Sequence, residues 1–171
     1  DVSSRHQAEP ASRQIRQVFH ARAAWRSAHP AALDGAPQAK EFIEALPSLL
    51  GPAEQVVLDG LLAATGRDEL VRELAGPGVN LIGHFAHPSG LRVSIRALAK
   101  GLRSQGLQLS LRDVRTDVSD EEDRLRYAGM EDFDVTIIHT QPTPYFSRAY
   151  ELCGSHARQP RPYRIAYWYW E

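Results

Sequence analysis

Two hydrophobic periods divide this chain, and one replaces the other near Gly76-Pro77-Gly78. Upstream, apolar residues recur at helical spacing. In "SRQIRQVFHARAAWRSA" Ile15, Val18, Phe19 and Trp25 fall on one helical face, and Arg22 interrupts the same face. "APQAKEFIEALPSLLG" repeats the pattern with Phe42, Ile43 and Leu46; Pro47 predicts an end or a kink there, because proline has no N–H and its ring crowds the preceding turn. "GPAEQVVLDGLLAATGRDELVRELAG" predicts two more short amphipathic pieces punctuated by Gly60 and Gly66.

Downstream the period shortens. "VNLIGHF" is an apolar run too short for a helix, and "LQLSLRD" alternates Leu107, Leu109 and Leu111. "FDVTIIH" is β-branched and nearly continuous, and "YRIAYWYW" is β-branched and aromatic. Between the first two of these strands Leu91, Ile95, Leu98 and Leu102 form one helical stripe, with Gly106 placed as a left-handed C-terminal cap. A further helix is predicted from Tyr145 to Ser155, and "TDVSDEEDRLRYAGMED" reads as a solvated acidic loop or short helix. Strands alternating with helices of this length predict a parallel sheet with right-handed crossovers. The expected fold is therefore α/β: an N-terminal α-helical segment over 1–76, then a Rossmann-like parallel β-sheet half-domain over 77–171.

Composition narrows the function. The net charge of -1 argues against a nucleic-acid binder, and no apolar run reaches the length of a transmembrane segment. The single cysteine, Cys153, excludes an intrachain disulfide and a thiolate zinc cluster. The chain opens on Asp1 and stops at Glu171 directly after a strand-like run, so it reads as part of a longer polypeptide.

In open parallel sheets ligands sit outside the carboxyl ends of the strands. That rule gathers four stretches: Gly83 to Gly90, Asp113 to Asp117, His139 to Pro144, and Trp168 to Glu171. Ser89 is placed to cap the helix that follows, and Gly90 would let an anion approach its first N–H groups. A plain cap at Ser89 and an eased turn at Gly83 explain the stretch equally well. The spacing is neither G-x-G-x-x-G nor a P-loop. His84 and His87 lack a cysteine or acidic partner at ligand spacing, so no metal site is expected. Arg92 and Arg96 lie near enough the helix start to reach a charged ligand. His139 ends a buried strand, where hydrogen-bonding or acid–base work competes with a structural role. Asp113 ends the second strand, where dinucleotide folds hold a ribose. The closing aromatics, Trp170 among them, could pack in the core or stack on a sugar face.

"GVNLIGHFAHPSGLRVSIRALAKGLRSQG", "FDVTIIHTQP" and "YRIAYWYWE" follow one another in an order and spacing that has a counterpart. Over 77–171 the chain resembles the N-terminal Rossmann-like domain of bacterial family 4 glycosyltransferases of the two-domain GT-B type, where the first and last motifs run "GVNVIGY…SGLGEAAR…L…G" and "YRIGYWAWE". The helical part is similar, more loosely, to a segment that precedes such domains in multidomain transferases. The resemblance implies transfer of a glycosyl unit from a nucleotide-diphosphate sugar to an acceptor hydroxyl of a glycan, lipid or protein, with no bound cofactor or metal. It implies that Gly83, Ser89 and Gly90 face donor or acceptor, and that His139 and Glu171 serve catalysis on the same rim; His84, Arg92, Arg96 and Trp170 are the further candidates for donor or acceptor contact. It further implies a missing C-terminal GT-B domain holding most of the donor, an inactive fragment, and a location in the cytoplasm or at the inner membrane face. Two positions depart from the family: Arg92 stands at its second glycine and Val93 at its acidic residue. A Rossmann-type oxidoreductase using Asp113, and a non-catalytic interaction module, stay open as alternatives.

Overall fold

The computed structural model describes residues 10–158 and 162–168. The chain forms two compact units that divide between Gly76 and Pro77.

The first unit is all helical: α1 (Ala11–Ala21), α2 (Ala23–Ala28), α3 (Ala36–Leu49), α4 (Pro52–Thr65) and α5 (Arg67–Ala75). Ile15, Phe19, Trp25, Phe42, Ile43 and Leu46 are buried together with Leu58, Leu70 and Leu74. Phe42 meets Phe19 and Trp25 edge-on, with ring centroids 5.3 and 5.6 Å apart, the geometry aromatic quadrupoles favour. The expected stripe is corrected at two points. Arg22 leaves helical geometry (φ -99, ψ 102), so "SRQIRQVFHARAAWRSA" is two helices, and Val18 stays 36% exposed. The break frees the Arg22 side chain to pair with Glu54 and to lie over the Trp25 ring at 4.8 Å. Pro47 does not end α3, which runs on to Leu49; lying in the final turn, it forfeits a single backbone bond. Gly60 sits inside α4 without breaking it, whereas Gly66, at φ +84, joins α4 to α5. Buried Arg16 donates to the carbonyl of Leu74 at 2.6 Å and to those of Glu73 and Gly76, so it satisfies the otherwise orphaned C-terminal end of α5. Ile15, Val18, Trp25, Leu46 and Leu58 line an apolar cavity of about 170 Å³ in this unit.

The second unit is a four-stranded, all-parallel sheet of β1 (Gly78–Gly83), β2 (Gln108–Asp113), β3 (Val135–Thr140) and β4 (Tyr163–Trp168), in the order β2-β1-β3-β4. Helix α6 (Gly90–Ser104) links β1 to β2; the short helices α7 (Glu121–Leu125) and α8 (Ala149–Leu152) precede β3 and β4. The chain leaves β1 toward one edge, then returns to β3 on the other side and proceeds outward again. Because crossovers share one hand, this reversal puts the covering helices on opposite faces. Ile95 and Ala99 of α6 pack with Val79, Leu81 and Leu109; Ala149 and Cys153 pack with Ile82, Val114 and Ile138. The predicted C-cap of α6 is present: Gly106 has φ +80, and the amides of Gly106 and Leu107 reach the carbonyls of Arg103 and Leu102.

The helix expected from Tyr145 to Ser155 shrinks to α8. Pro142 and Pro144 shape a π-type turn over Pro142–Phe146 in which Thr143, preceding a proline, is extended (φ -131, ψ 134), and Gly154 in the left-handed region closes α8. The acidic segment is less solvated than its composition suggests, since Asp123 pairs with Arg96 and Arg124 with Asp113. Asn80, a polar residue within an apolar strand, is also explained. Its buried amide donates to the Phe133 carbonyl at 2.7 Å and accepts from the Phe133 N–H at 2.9 Å, fixing the entry to β3.

Candidate functional site

The strand order places a topological switch point between β1 and β3, where the chain departs to opposite sides. In open α/β sheets the loops diverge at such a point, and ligands bind in the crevice outside the carboxyl ends of the strands. Gly83 ends β1 at this point, paired with Asp113 on one side and His139 on the other. A methyl on its α-carbon would stand 2.4 Å from the His139 carbonyl oxygen and 2.3 Å from Ile95 Cδ1, so the glycine is required by close approach of strand to strand.

The loop after Gly83 is held from beneath. The amides of Phe85 and Ala86 donate to Asp113 Oδ1 at 2.8 and 2.9 Å, and Arg124 Nε donates to Oδ2 at 3.1 Å. Burial raises the Asp113 pKa, and these donors oppose the rise. Both carboxylate oxygens are thus engaged in shaping the loop. The ribose-holding role open to Asp113 in the oxidoreductase alternative would have to compete with these three bonds.

His84 follows Gly83 and is buried, with Nδ1 3.2 Å from the Val114 carbonyl and its ring edge-on to Tyr145 at 4.8 Å. A ring nitrogen facing a carbonyl must carry the proton, so Nε2 is the basic nitrogen. Burial lowers the pKa of His84 to about 4, reinforced by the nearby His87 and His139 and opposed by the Val114 bond. The consequence for stability has a definite sign. Between pH 6.5 and about 4 the unfolded chain binds a proton at His84 that the folded chain refuses, so stability falls as pH falls through that window. The displacement amounts to about 3 kcal/mol. Urea unfolding followed on β1 and β3 amide signals should show this loss between pH 7 and pH 4, with a flatter pH dependence in His84→Asn.

His139 lies on the opposite face of the sheet, fully buried, its Nε2 2.9 Å from the hydroxyl of Ser94 on α6. Burial lowers its pKa as well. The ring also packs against Tyr167 at 5.0 Å. His84 and His139 therefore lie buried on the two sides of the sheet near the carboxyl ends of β1 and β3.

The remaining expected residues divide. Ser89 occupies the N-cap position of α6, but its side chain makes no cap bond and instead points to the His87 carbonyl at 3.5 Å, a correction that leaves the first turn of α6 without a side-chain cap. Gly90 opens the helix with no atom within 4 Å of where a side-chain methyl would stand, an open approach. Arg92 is half-buried beside it and has no ion pair or hydrogen bond among the described residues. Arg96 donates to the Phe85 carbonyl at 2.9 Å and to Asp123 at 2.8 Å, and lies over Tyr127. Trp170 and Glu171 lie outside the described residues. Among the described residues no cluster of three His, Cys, Asp or Glu could hold a metal ion, and no helix is long and apolar enough to cross a membrane.

The chain matches no protein-family model, no curated protein and no solved structure.

Three participants were not foreseen from sequence. Ser94 lies four residues after Gly90 and next to Ile95 in the sheet-facing stripe, a spacing that could have drawn notice. Tyr145 gave no signal, since its neighbour His84 is remote in sequence. Thr140, at the end of β3, buries a hydroxyl that has no hydrogen-bond partner among the described residues.

Proposed function

We propose that the second unit is the acceptor-side half of a sugar-nucleotide-dependent glycosyltransferase, with the crevice between β1 and β3 facing donor diphosphate and acceptor. The observation that carries this reading is the close-packed Gly83 at the switch point, followed by a helix whose first turn is free of a side-chain cap. Free N–H groups at a helix start favour an anion, and the diphosphate is the anionic part of the donor. The motif resemblance turns this general anion site toward sugar transfer. Arg92, standing where the resembled family has glycine, offers a guanidinium beside the same turn and would contact phosphate through its side chain. Gly83, Gly90 and Arg92 are the donor-facing residues of this reading, His84 lines the crevice, and His139 serves from beneath. Catalysis would rest on orientation and on stabilising the departing diphosphate. The whole reaction requires the C-terminal half that the resemblance implies.

The test is an amide NMR titration of this chain with uridine diphosphate, nucleotide sugars and, separately, NAD. Shifts confined to Gly83–Arg92 with the diphosphate compounds, lost in Arg92→Ala, are expected at millimolar concentrations. Saturable shifts with NAD alone would favour the oxidoreductase alternative. No shift with any of them would leave the interaction-module alternative as the better account.

A further inference from the structure

We propose that Ser94 and His139 form a nucleophile–base pair and that Ser94, not His139, is the group presented to a substrate. His139 has no exposed surface, whereas Ser94 is partly exposed and lies 2.9 Å from Nε2. A reactant entering the crevice can meet the hydroxyl, and the imidazole stands behind it. In this pair Ser94 Oγ would donate to Nε2, which requires the ring proton on Nδ1, the arrangement in which a histidine can take the hydroxyl proton.

The surroundings favour this chemistry. Burial lowers the His139 pKa, which favours the neutral ring, the form that can accept a proton. Ser94 follows Gly90 by four residues, so it sits about one turn along the helix from the first-turn N–H groups, which have no side-chain cap. Those donors are the class that stabilises a developing oxyanion. The electrophile they suit is a small activated acyl ester. Ser94 Oγ attacks the carbonyl carbon while its proton moves to His139 Nε2, and the carbonyl electron pair shifts to oxygen. Collapse of that intermediate breaks the ester C–O bond, and the leaving oxygen takes the proton from His139. Water then releases the acyl group from Ser94 by the same steps, with no change of oxidation state. This inference does not depend on sugar transfer, and its failure would leave that reading unaffected.

The experiment treats the chain with diisopropyl fluorophosphate, which forms a serine–phosphorus bond and releases fluoride, and maps the adduct by mass spectrometry. A single adduct on Ser94, absent in Ser94→Ala and slowed about 100-fold or more in His139→Gln, is the expected result. No adduct, an adduct elsewhere, or a rate untouched by His139→Gln overturns the proposal. Because His139→Gln alters a buried residue, the tautomer of His139 in the unaltered chain is measured as well, from its imidazole nitrogen shifts. Protonation at Nδ1 is expected; protonation at Nε2 would make His139 the donor to Ser94 and overturn the pair.

Discussion

Gly83→Ala is expected to disrupt the second unit. The new methyl would lie 2.4 Å from the His139 carbonyl oxygen and 2.3 Å from Ile95 Cδ1. Ile95 is a side chain and could rotate, although it is fully buried and its neighbours are packed. The carbonyl cannot: it belongs to β3, which pairs with β1 on one side and β4 on the other. Relief requires the central strands to part at the crevice. Ordinary overpacking costs up to about 3 kcal/mol, and a clash with paired backbone belongs at or beyond that end. With a urea slope of about 1–3 kcal/mol/M, the midpoint of the second unit should fall by about 1 M or more. Gly90→Ala is the matched control. Nothing lies within 4 Å of its added methyl, so it should leave the midpoint unchanged or raise it slightly. Equal midpoints for Gly83→Ala and the parent would remove the steric basis assigned to this glycine.

Asp113→Ala should be the most damaging change to the loop itself. It removes the acceptor for the Phe85 and Ala86 amides and the partner of Arg124 in one step. Asp113 is 2% exposed, so the two amides would be stranded where water reaches them poorly. Removing one partner of a buried charged pair costs about 3–5 kcal/mol; Arg124 retains Glu121, which places this variant toward the lower end. Hydrogen exchange at Phe85 and Ala86 should accelerate most, ahead of amides in β2 itself. Asp113→Asn keeps an oxygen for both amides but turns an NH2 donor toward Arg124 in place of the carboxylate oxygen, so it loses the Arg124 bond alone and should cost less than Asp113→Ala. If the two substitutions cost the same, the amide bonds contribute nothing and the loop is held by other contacts.

These two effects show how differently the site's parts were readable. The glycine after an apolar strand, the stripe of Leu91, Ile95, Leu98 and Leu102, and the cap at Gly106 all lie within one stretch of chain. Their meaning follows from local geometry: which residues share a helix face, and where only a glycine accepts the backbone. The parallel sheet and the change of architecture at Gly76-Pro77 were legible for the same reason, since a period of two and a period near four are visible without knowing any partner. Local errors had local causes as well. Pro47 lay close enough to a helix end to be absorbed, and Pro142 and Pro144 cut the expected eleven-residue helix to four residues.

Other assignments depended on strand order, which local pattern does not carry. Asp113 and Phe85 are 28 positions apart, Ser94 and His139 are 45 apart, and Arg96 reaches Asp123 across 27. Only when β1 comes to lie between β2 and β3 does Asp113 fall beneath the glycine loop and His139 behind Ser94. The sequence by itself determined the elements, their periods and the kind of sheet they form, because burial imposes a repeat on each segment separately. The tertiary structure decided which polar groups were engaged in holding the crevice and which were left facing it, because hydrogen bonds between distant segments exist only once the strands are placed side by side.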